Sequence, residues 1–484
     1  MSALQTNKMT NYRWVICAML FLATTVNYMD RQVLSLTWKD FIAVDFHWND
    51  NDYGNITSIF SIFYAVISLF AGKFIDWMGT KKGYIWAIVV WSFGACIHAA
   101  CGWATMKIEG IGSIEELRAI QEGSALALTV STLSVWLFLA CRMILAMGES
   151  GNFPAAIKVT AEYFPKKDRA LATSIFNAGA SVGALAAPLT IPTLAEHLGW
   201  EMAFIIIGAI GFIWAGLWMF MYTAPSKSKF VNQAELVYIE SDKEDLADVK
   251  KESNIEDNEP KLSFFDCFKY RQTWAFIVGK FMTDGVWWFF LFWAPAYFSE
   301  LGHPSSSPMG QALIFVLYLI VTVVSIYGGY LPKLFVEKMG MNPYAGRMRA
   351  MLIFAFFPIF AMFAQPLAEY SPWWPCVIIG LAGAGHQAWS ANLYSTIGDM
   401  FPKSAIASIT GIGTMFGGLC SYAINKGSGM LFTYADQQGA AFTFFGAEGK
   451  PAGYMIVFCY CAVAYLIGWC IMKTLVPKYK PITA

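Results

Sequence analysis

The chain has 484 residues, of which 57% are hydrophobic and 14% charged, and its mean hydropathy is +0.48. Soluble domains carry about a quarter charged residues, so this composition excludes an ordinary soluble enzyme. The 33 basic and 33 acidic residues cancel, which argues against a nucleic-acid partner. None of the ten cysteines has a metal-site spacing and no phosphate-binding glycine loop is present, so we expect no metal and no cofactor.

Twelve apolar stretches are long enough to cross a membrane as helices, since a span needs about 20 apolar residues. They lie near 14–36, 53–75, 84–104, 128–150, 170–195, 202–223, 273–299, 311–335, 348–367, 374–398, 405–432 and 453–475. The pattern predicts an all-α membrane protein with twelve transmembrane helices. Its predicted domains are an N-terminal six-helix bundle (1–225), a polar linker (226–271) and a C-terminal six-helix bundle (272–484).

Basic residues are distributed unequally between the two sides of the predicted membrane protein. If the N-terminus and the linker share one side, 25 of the 33 basic residues lie there and five lie on the other side. Cytoplasmic loops carry an excess of Lys and Arg. We therefore predict a multi-pass protein of the inner (plasma) membrane whose termini and central linker are cytoplasmic. The linker holds 11 acidic and 8 basic residues, as expected for a solvated connector.

The two halves repeat short motifs at matching places. EYFPKKDRALATS (162–174) follows the fourth span and DMFPKSAIAS (399–408) follows the tenth, while GKFIDWMGTKK (72–82) is matched by GGYLPKLFVEKMG (328–340). Duplicated bundles place a substrate site between them near the bilayer midplane. In the 72–82 segment, we expect Asp76, Lys81 and Lys82 to latch the bundles in one access state. Residues 105–125 are a polar external insertion, predicted to contain at most a short surface helix.

The charged residues within the predicted spans of the first bundle include Asp30, Arg31, Arg142 and Glu149. Charges at bilayer depth are costly and persist where they pair, face a cavity or take part in function. Arg142 and Glu149 are seven residues apart, about two helical turns, so they share one helix face but do not pair directly. The set is consistent with interhelical salt bridges alone. It is also consistent with proton-carrying acids beside an arginine that binds a carboxylate.

The second bundle supplies a further charged pair and a polar segment. Lys280 and Asp284 are separated by one helical turn, and a salt bridge on a single helix explains them as well as substrate binding does. Neighbouring tryptophans are either interface anchors or platforms for a sugar ring. The tenth span groups polar side chains around an indole, a pattern that favours a polyhydroxylated ligand over helix packing. These side chains are His386, Gln387, Trp389, Ser390 and Asn392.

Taken together, these motifs resemble the major facilitator superfamily. Within it they resemble the anion:cation symporter family, which includes hexuronate, galactonate and glucarate transporters, sialin and the vesicular glutamate transporters. The resemblance rests on NYMDR in the first span, R-x6-GE at 142–149, FNAGASVG at 176–183, DGVWWFFLFWAPAY at 284–297 and HQAWSANLY at 386–394. The last two are most similar to hexuronate transporters. The resemblance departs at Asp76, which is followed by Trp77 rather than arginine, and at AGA (178–180), where galactonate transporters carry a glutamine.

The resemblance implies a role for each matching residue. Asp30 and Glu149 would carry protons, Arg142 would tune Glu149, and Arg31 would bind the substrate carboxylate. The sugar site is expected to be lined by side chains from both bundles: Tyr28, Tyr64, Lys280, Trp288, His386, Gln387, Trp389, Ser390 and Asn392.

These observations predict a proton-coupled symporter that imports a sugar acid, by resemblance a hexuronate such as glucuronate or galacturonate, and works by alternating access. We expect no enzymatic activity; the partners are a small organic anion and the lipid bilayer, and the protein is expected to be a monomer. One alternative is an uncoupled facilitator or an exchanger of another organic anion, such as an aldonate or glucarate. A membrane-embedded sensor or enzyme is the alternative of another class. This alternative is disfavoured because the composition of the linker does not indicate a folded signalling domain.

Overall fold

The structure is a computed structural model that describes residues 8–241, 265–401 and 403–482. Within these residues, twelve long helices follow one another along the chain. They are α1 Tyr12–Thr37, α2 Asp50–Met78, α3 Thr80–Ile97, α4 Ala125–Glu149, α5 Lys166–Leu198, α6 Trp200–Met221, α7 Arg271–Glu300, α8 Pro308–Ser325, α9 Pro343–Ala355, α10 Trp373–Met400, α11 Lys403–Gln438 and α12 Lys450–Leu475. The prediction of helix number and order agrees with these elements.

Several helices are extended by shorter segments. α4 continues as Asn152–Tyr163, α8 as Tyr327–Met339, and α9 as a 3-10 turn, Phe357–Phe363, followed by Ala364–Ala368. A π-helical turn, Trp38–Ile42, and a short helix, Ala43–Phe46, follow α1. Before α12, a two-stranded antiparallel hairpin pairs β1 (Thr443–Phe444) with β2 (Ala447–Glu448), with Thr443 opposite Glu448.

Length and apolar composition allow eight of the described helices to cross a membrane, and α3 with its continuation Ala100–Glu109 forms a ninth span bent by 48°. The remaining long helices are α1, α10 and α11. Their sequences carry the polar and charged side chains, or the glycines and serines, that lower the hydropathy of a span. Polar groups are tolerated at bilayer depth where they face protein or a cavity. The less apolar helices are therefore candidates for the lining of a site.

Small residues on α5 bring it close to α1. A Cβ atom built on Gly179 would lie 2.4 Å from the backbone oxygen of Phe21, and one built on Gly183 would lie 2.4 Å from that of Thr25. Real Cβ atoms do not approach backbone oxygen this closely, so glycine is required for the observed helix separation. The glycines of the FNAGASVG motif therefore serve helix packing.

Both ends of the described chain lie on the same face as the connection between the halves, which we call the linker face. At the N-terminus, Tyr12 donates a hydrogen bond to the carbonyl of Met221 (2.8 Å). At the C-terminus, the carbonyl of Lys480 accepts one from Gln272 (2.8 Å). The start of the linker also packs against the first half. Glu235 is fully buried there, and its carboxylate accepts hydrogen bonds from Thr10 and from the start of α1.

The two halves are joined at the other side of the membrane, which we call the opposite face. Lys39 of the first half contacts Glu300 of the second (2.6 Å), and Lys450 of the second half contacts Asp50 of the first (2.6 Å). Closer to the midplane, the Tyr53 hydroxyl donates to the carbonyl of Phe292 (2.9 Å). The inter-half hydrogen bonds and ion pairs that the structure describes all lie between the midplane and this face. In this conformation the opposite face is closed.

The 105–125 insertion packs against the short elements that follow α1. Its five-residue helix, Ile114–Arg118, buries Leu117, whose carbonyl is 3.0 Å from His47 Nε2. Arg118 donates a hydrogen bond to Asp45 (2.7 Å), and Asp45 also accepts one from Trp200 (2.8 Å). The insertion therefore braces the same loop that carries Lys39 to the second half.

Candidate functional site

An ion pair between α1 and α4 lies at the centre of the candidate site. Arg31 donates to Glu149 Oε2 through Nε (3.3 Å) and through Nη2 (3.2 Å). Glu149 is fully buried, and its second oxygen, Oε1, has no hydrogen-bond partner among the described residues. Because an unpaired buried charge is costly, each of these two side chains lowers the cost of burying the other. Arg31 is therefore the direct partner of Glu149, for which the resemblance had implied only tuning by Arg142.

Three aromatic rings surround the Arg31 guanidinium. Its Cζ atom lies 5.3 Å from the ring centroid of Tyr28, 4.9 Å from that of Tyr64 and 5.3 Å from that of Trp288. The Tyr64 hydroxyl also accepts a hydrogen bond from Nη2 (3.2 Å). A cation within about 6 Å of a ring centroid is attracted by the ring quadrupole. Trp288 belongs to α7, so Arg31 contacts both halves of the protein.

The other two predicted charges lie nearby but are bound differently. Asp30 accepts a hydrogen bond from the Trp91 indole of α3 (2.5 Å) through one oxygen, while its other oxygen has no partner within the described part of the chain. Arg142 is buried, with its guanidinium carbon 4.2 Å from the ring centroid of Phe60. Two acids and two arginines thus lie in one charge-balanced region, and only one of the possible carboxylate–arginine pairs is formed by direct contact.

A cavity of about 420 Å³ lies between the halves beside this region. α1 and α5 of the first half line it, as do α7, α8 and α10 of the second. Its polar and aromatic lining includes Tyr28, Asn177, Ser181, Trp287, Tyr318, Gln387, Ser390 and Tyr394. The lining carries no formal charge, so hydroxyl, amide and indole groups determine what fits there. Such a lining suits an uncharged polyhydroxylated body.

The polar segment of α10 is divided between two faces of the helix. Gln387, Ser390 and Tyr394 line the cavity. Trp389 does not: it is fully buried with its ring edge-on to Tyr465, 5.6 Å away. An α-helix turns about 100° per residue, so positions 387, 390 and 394 share a face that residue 389 does not share.

Two further residues of the predicted sugar site also point elsewhere. The Nδ1 atom of His386 is 2.8 Å from the Tyr465 hydroxyl, and its ring stacks on Trp287 at 5.4 Å. Asn392 donates to the carbonyls of Gly328 and Ala388, both at 2.8 Å, and so fastens α10 to the continuation of α8. His386, Trp389 and Asn392 are thus not among the residues that line the cavity.

Lys280 forms the local ion pair that the sequence allows. Its Nζ atom is 2.7 Å from Asp284 Oδ2 on the same helix. The same ammonium lies 4.8 Å from the ring centroid of Tyr394, which lines the cavity. Lys280 is thus placed to position Tyr394 and is not itself among the lining residues.

The predicted latch residues lie on the linker face of the first half. Asp76 contacts Lys158, 2.7 Å away in the extension of α4. Lys81 and Lys82 lie in the first turn of α3. The Asp76 contact is internal to one half, as expected where the closed side is the opposite face.

Sequence reasoning missed several residues that the structure brings to the site. Tyr394 follows Gln387 by seven positions and Ser390 by four, and this spacing places all three on one helix face. The same spacing would have identified Tyr394 from the sequence. Trp287 is one of the tryptophans that the sequence offered as platforms for a sugar ring, and Asn177 lies in the FNAGASVG motif but was assigned no contact with a ligand. The orientation of both depends on how the helices rotate against each other.

A family model described as Major Facilitator Superfamily matches residues 20–423, a stretch that runs from α1 into α11. The chain belongs to the Major Facilitator Superfamily. Its relatives include the hexuronate transporter of Escherichia coli (strain K12), 26% identical over 419 residues that cover 86% of both proteins. The galacturonate transporter of Dickeya chrysanthemi is 26% identical over 69% of this chain and 86% of its own length. A probable galactarate/D-glucarate transporter of Bacillus subtilis (strain 168) is 25% identical over 92% of this chain and 91% of its own.

Solved structures with the same superfamily fold cover almost the whole chain. A D-xylose–proton symporter superposes with a TM-score of 0.68 over 95% of this chain and 97% of its own, at 16% identity. A bacterial homologue of the human lysosomal transporter Spinster, in an inward-facing and occupied conformation, gives 0.65 over 97% of both chains at 16% identity. The predictions of a twelve-helix fold in two six-helix bundles, and of a transporter rather than an enzyme, are confirmed.

Proposed function

We propose that this major facilitator imports a sugar acid together with protons across the inner membrane, and that the sugar acid is a hexuronate such as glucuronate or galacturonate. The observation that carries the proposal is the buried Arg31–Glu149 ion pair beside an uncharged polar cavity. An arginine recognises a carboxylate through two parallel hydrogen bonds, and the cavity offers hydrogen-bonding groups for hydroxyls. Transporters of hexuronate, galacturonate and galactarate or glucarate among its relatives support this substrate class.

The substrate is expected to bridge the two halves. Its carboxylate would bind Arg31 beside Tyr28 and Tyr64, on the first half. Its ring would lie towards Gln387 and Ser390 on α10, with the Trp287 indole against an apolar face of the sugar. A neutral hexose offers hydroxyls but has no carboxylate to accept hydrogen bonds from Arg31. It therefore lacks the strongest contact of the proposed complex and should bind poorly.

Proton coupling follows from competition for one guanidinium. Arg31 now donates both of its carboxylate-directed hydrogen bonds to Glu149. If the substrate carboxylate takes them over, Glu149 is left buried without its partner, and taking up a proton removes the cost of that unpaired charge. Asp30, which accepts a hydrogen bond from Trp91 of α3, is the second proton-carrying candidate, with Arg142 adjusting the electrostatic field around both acids.

The excess of basic residues supports a cytoplasmic location for the linker face, both termini and the linker. The present conformation then has its outward path closed by the contacts of Lys39 and Lys450, and the site serves release on the cytoplasmic side. Opening towards the outside would break those contacts, and Asp76, Lys81 and Lys82 are the candidates for holding the cytoplasmic side closed. We propose that the monomer is the transporting unit.

Transport by purified protein in liposomes tests the proposal. Labelled glucuronate should accumulate inside when the outside is more acidic, and a protonophore should abolish accumulation. Glu149→Gln should lose accumulation but keep counterflow exchange, because a permanently neutral residue 149 leaves Arg31 free for substrate. Asp168→Asn, which alters a linker-face acid that Tyr238 contacts, is the matched control and should behave like the native protein.

Three outcomes separate the alternatives. Accumulation by Glu149→Gln at the native level would remove Glu149 from coupling. Equilibration of glucuronate without accumulation under any proton gradient would identify an uncoupled facilitator or exchanger. Chemical alteration of the labelled sugar, or binding without transport, would overturn the transport assignment.

A further inference from the structure

A basic groove lies on the linker face of the second half, away from the transport cavity. Its volume is about 450 Å³, and it is formed by the start of α7, the end of α12 and the C-terminal tail. Four of the described residues that line it are cationic and none is acidic: Lys269, Arg271, Lys478 and Lys480. The groove shares no lining residue with the cavity between the halves. The groove is therefore positively charged and separate from the transport cavity.

The tail that carries two of these cations is fastened by its backbone. The carbonyl of Val476 accepts a hydrogen bond from Tyr344 (2.6 Å), and the carbonyl of Lys480 accepts one from Gln272 (2.8 Å). The amide of Ile482 donates to the carbonyl of Met400 (2.8 Å). These bonds use main-chain atoms and leave the ammonium groups of Lys478 and Lys480 at the surface. The positive charges of Lys478 and Lys480 are thus held in place by the fold, whereas Lys269 is paired with Asp266 beside the groove (2.6 Å).

The residues beside the groove have the character of a membrane–water interface. α7 begins at Arg271, and Trp274, in its first turn, is 43% exposed while its indole donates to the carbonyl of Phe268 (2.9 Å). Ile471, in the last turns of α12, is also exposed. Tryptophans with one polar contact and an exposed ring are typical of the membrane interface. An apolar surface therefore adjoins the four cations.

We propose that this groove binds the phosphate headgroup of an anionic phospholipid from the leaflet at the linker face. Basic residues beside a transmembrane helix attract anionic lipid, and charge-assisted hydrogen bonds from Lys and Arg suit phosphate oxygens. The adjoining surface of α7 and α12 accommodates acyl chains, which a soluble phosphate compound does not have. The bound lipid would connect the start of α7 to the tail and so stabilise the second half.

Lipid binding to the purified full-length protein tests this site. Native mass spectrometry with phosphatidylglycerol should show saturable binding that phosphatidylcholine does not reproduce. Each basic residue near an anionic surface contributes about fivefold in affinity, so Lys478→Gln/Lys480→Gln should bind phosphatidylglycerol about 25-fold more weakly. Lys333→Gln/Lys338→Gln is the matched control, because it removes two exposed cations of the same face outside the groove. It should change affinity less than twofold.

Other results would overturn the proposal. An equal loss in both double variants would mean that overall surface charge attracts the lipid and that the groove does not. Displacement of phosphatidylglycerol by glycerol 3-phosphate at equal concentration would identify a soluble phosphate ligand instead. Counterflow exchange at the native rate in Lys478→Gln/Lys480→Gln would establish that this variant is folded, and if counterflow is lost, Arg271→Gln provides a second test of the groove.

Discussion

Replacing Arg31 with lysine separates the geometry of the guanidinium from its charge. In the structure, Arg31 donates twice to Glu149, at 3.2 and 3.3 Å, and once to Tyr64 at 3.2 Å. Lysine keeps the positive charge, but its ammonium is a point donor without a planar pair of N–H groups. In the proposed complex it would offer the substrate carboxylate one hydrogen bond where arginine offers two.

The expected loss follows from that one bond. A hydrogen bond to a charged group contributes roughly 1.5–3 kcal/mol, which corresponds to about 10- to 150-fold in affinity. In Arg31→Lys, this loss should appear as a weaker affinity for the substrate. Tyr64→Phe is the milder comparison, because it removes a hydroxyl that contacts Arg31 and keeps the ring that packs against it. We expect its loss to be smaller than tenfold.

Isothermal titration of the purified variants with glucuronate measures these losses, and counterflow into liposomes shows whether each variant still transports. Glucose should bind neither the native protein nor the variants. An affinity of Arg31→Lys within twofold of the native value would refute two-point recognition and leave a simple point charge as the determinant. Competition by glucose at glucuronate concentrations would refute carboxylate recognition altogether.

Three further predictions concern specificity, gating and pH. Gln387→Ala should change the preference between glucuronate and galacturonate in competition assays by roughly 5- to 150-fold, the effect of leaving a buried polar group unpaired. Trp389→Ala should instead lower the free energy of unfolding by about 3–5 kcal/mol without changing that preference. Equal effects on both sugars in Gln387→Ala would contradict this. Asp50→Asn removes the buried ion pair with Lys450 between the halves, so the outward-open population should rise by roughly 30-fold. This corresponds to about 2 kcal/mol, a value between the contributions of exposed and of buried ion pairs. Unchanged distances between spin labels on the opposite-face loops would contradict it. Burial opposes ionisation of Glu235, but hydrogen bonds from Thr10 and the start of α1 outweigh it and lower the pKa of Glu235 below the ordinary 4.5. The resulting stabilisation is present above pH 4.5 and is lost as the pH falls through the lowered pKa. Glu235→Gln should therefore melt at a lower temperature than the native protein at pH 7, and a difference in melting temperature that persists in acid would contradict the assignment.

The helices could be predicted from the sequence because lipid imposes a simple rule. A span must hide its backbone polar groups in a helix and present about 20 apolar residues, so the spans were recognisable one at a time. The same rule fails to describe their extensions. α11 runs from Lys403 to Gln438 and α4 is followed by Asn152–Tyr163, because helix beyond the hydrocarbon region carries no hydropathy signal.

The candidate site was only partly predictable, since its residues come from helices that are distant in sequence. Hydropathy identified Asp30, Arg31 and Glu149 as costly charges that need partners. It could not assign Glu149 to Arg31, because that contact depends on how α1 and α4 cross. On α10 the helical period places Gln387 and Trp389 on different faces. The sequence does not show which face lines the cavity, because that depends on the packing of Trp389 against Tyr465 of α12.

Arg31 is the one residue through which the proposed cycle can link substrate, proton and conformation. Its guanidinium contacts Glu149 on the first half and the Trp288 ring on the second. A cation–π contact contributes about 0.5–2 kcal/mol, and a change of about 1.4 kcal/mol alters a conformational ratio tenfold. Substrate that draws the guanidinium from Glu149 would therefore leave the acid in need of a proton and, by the same movement, change a contact between the halves. Coupling of this kind needs no long pathway, because the exchange of partners and the inter-half contact occur at one side chain.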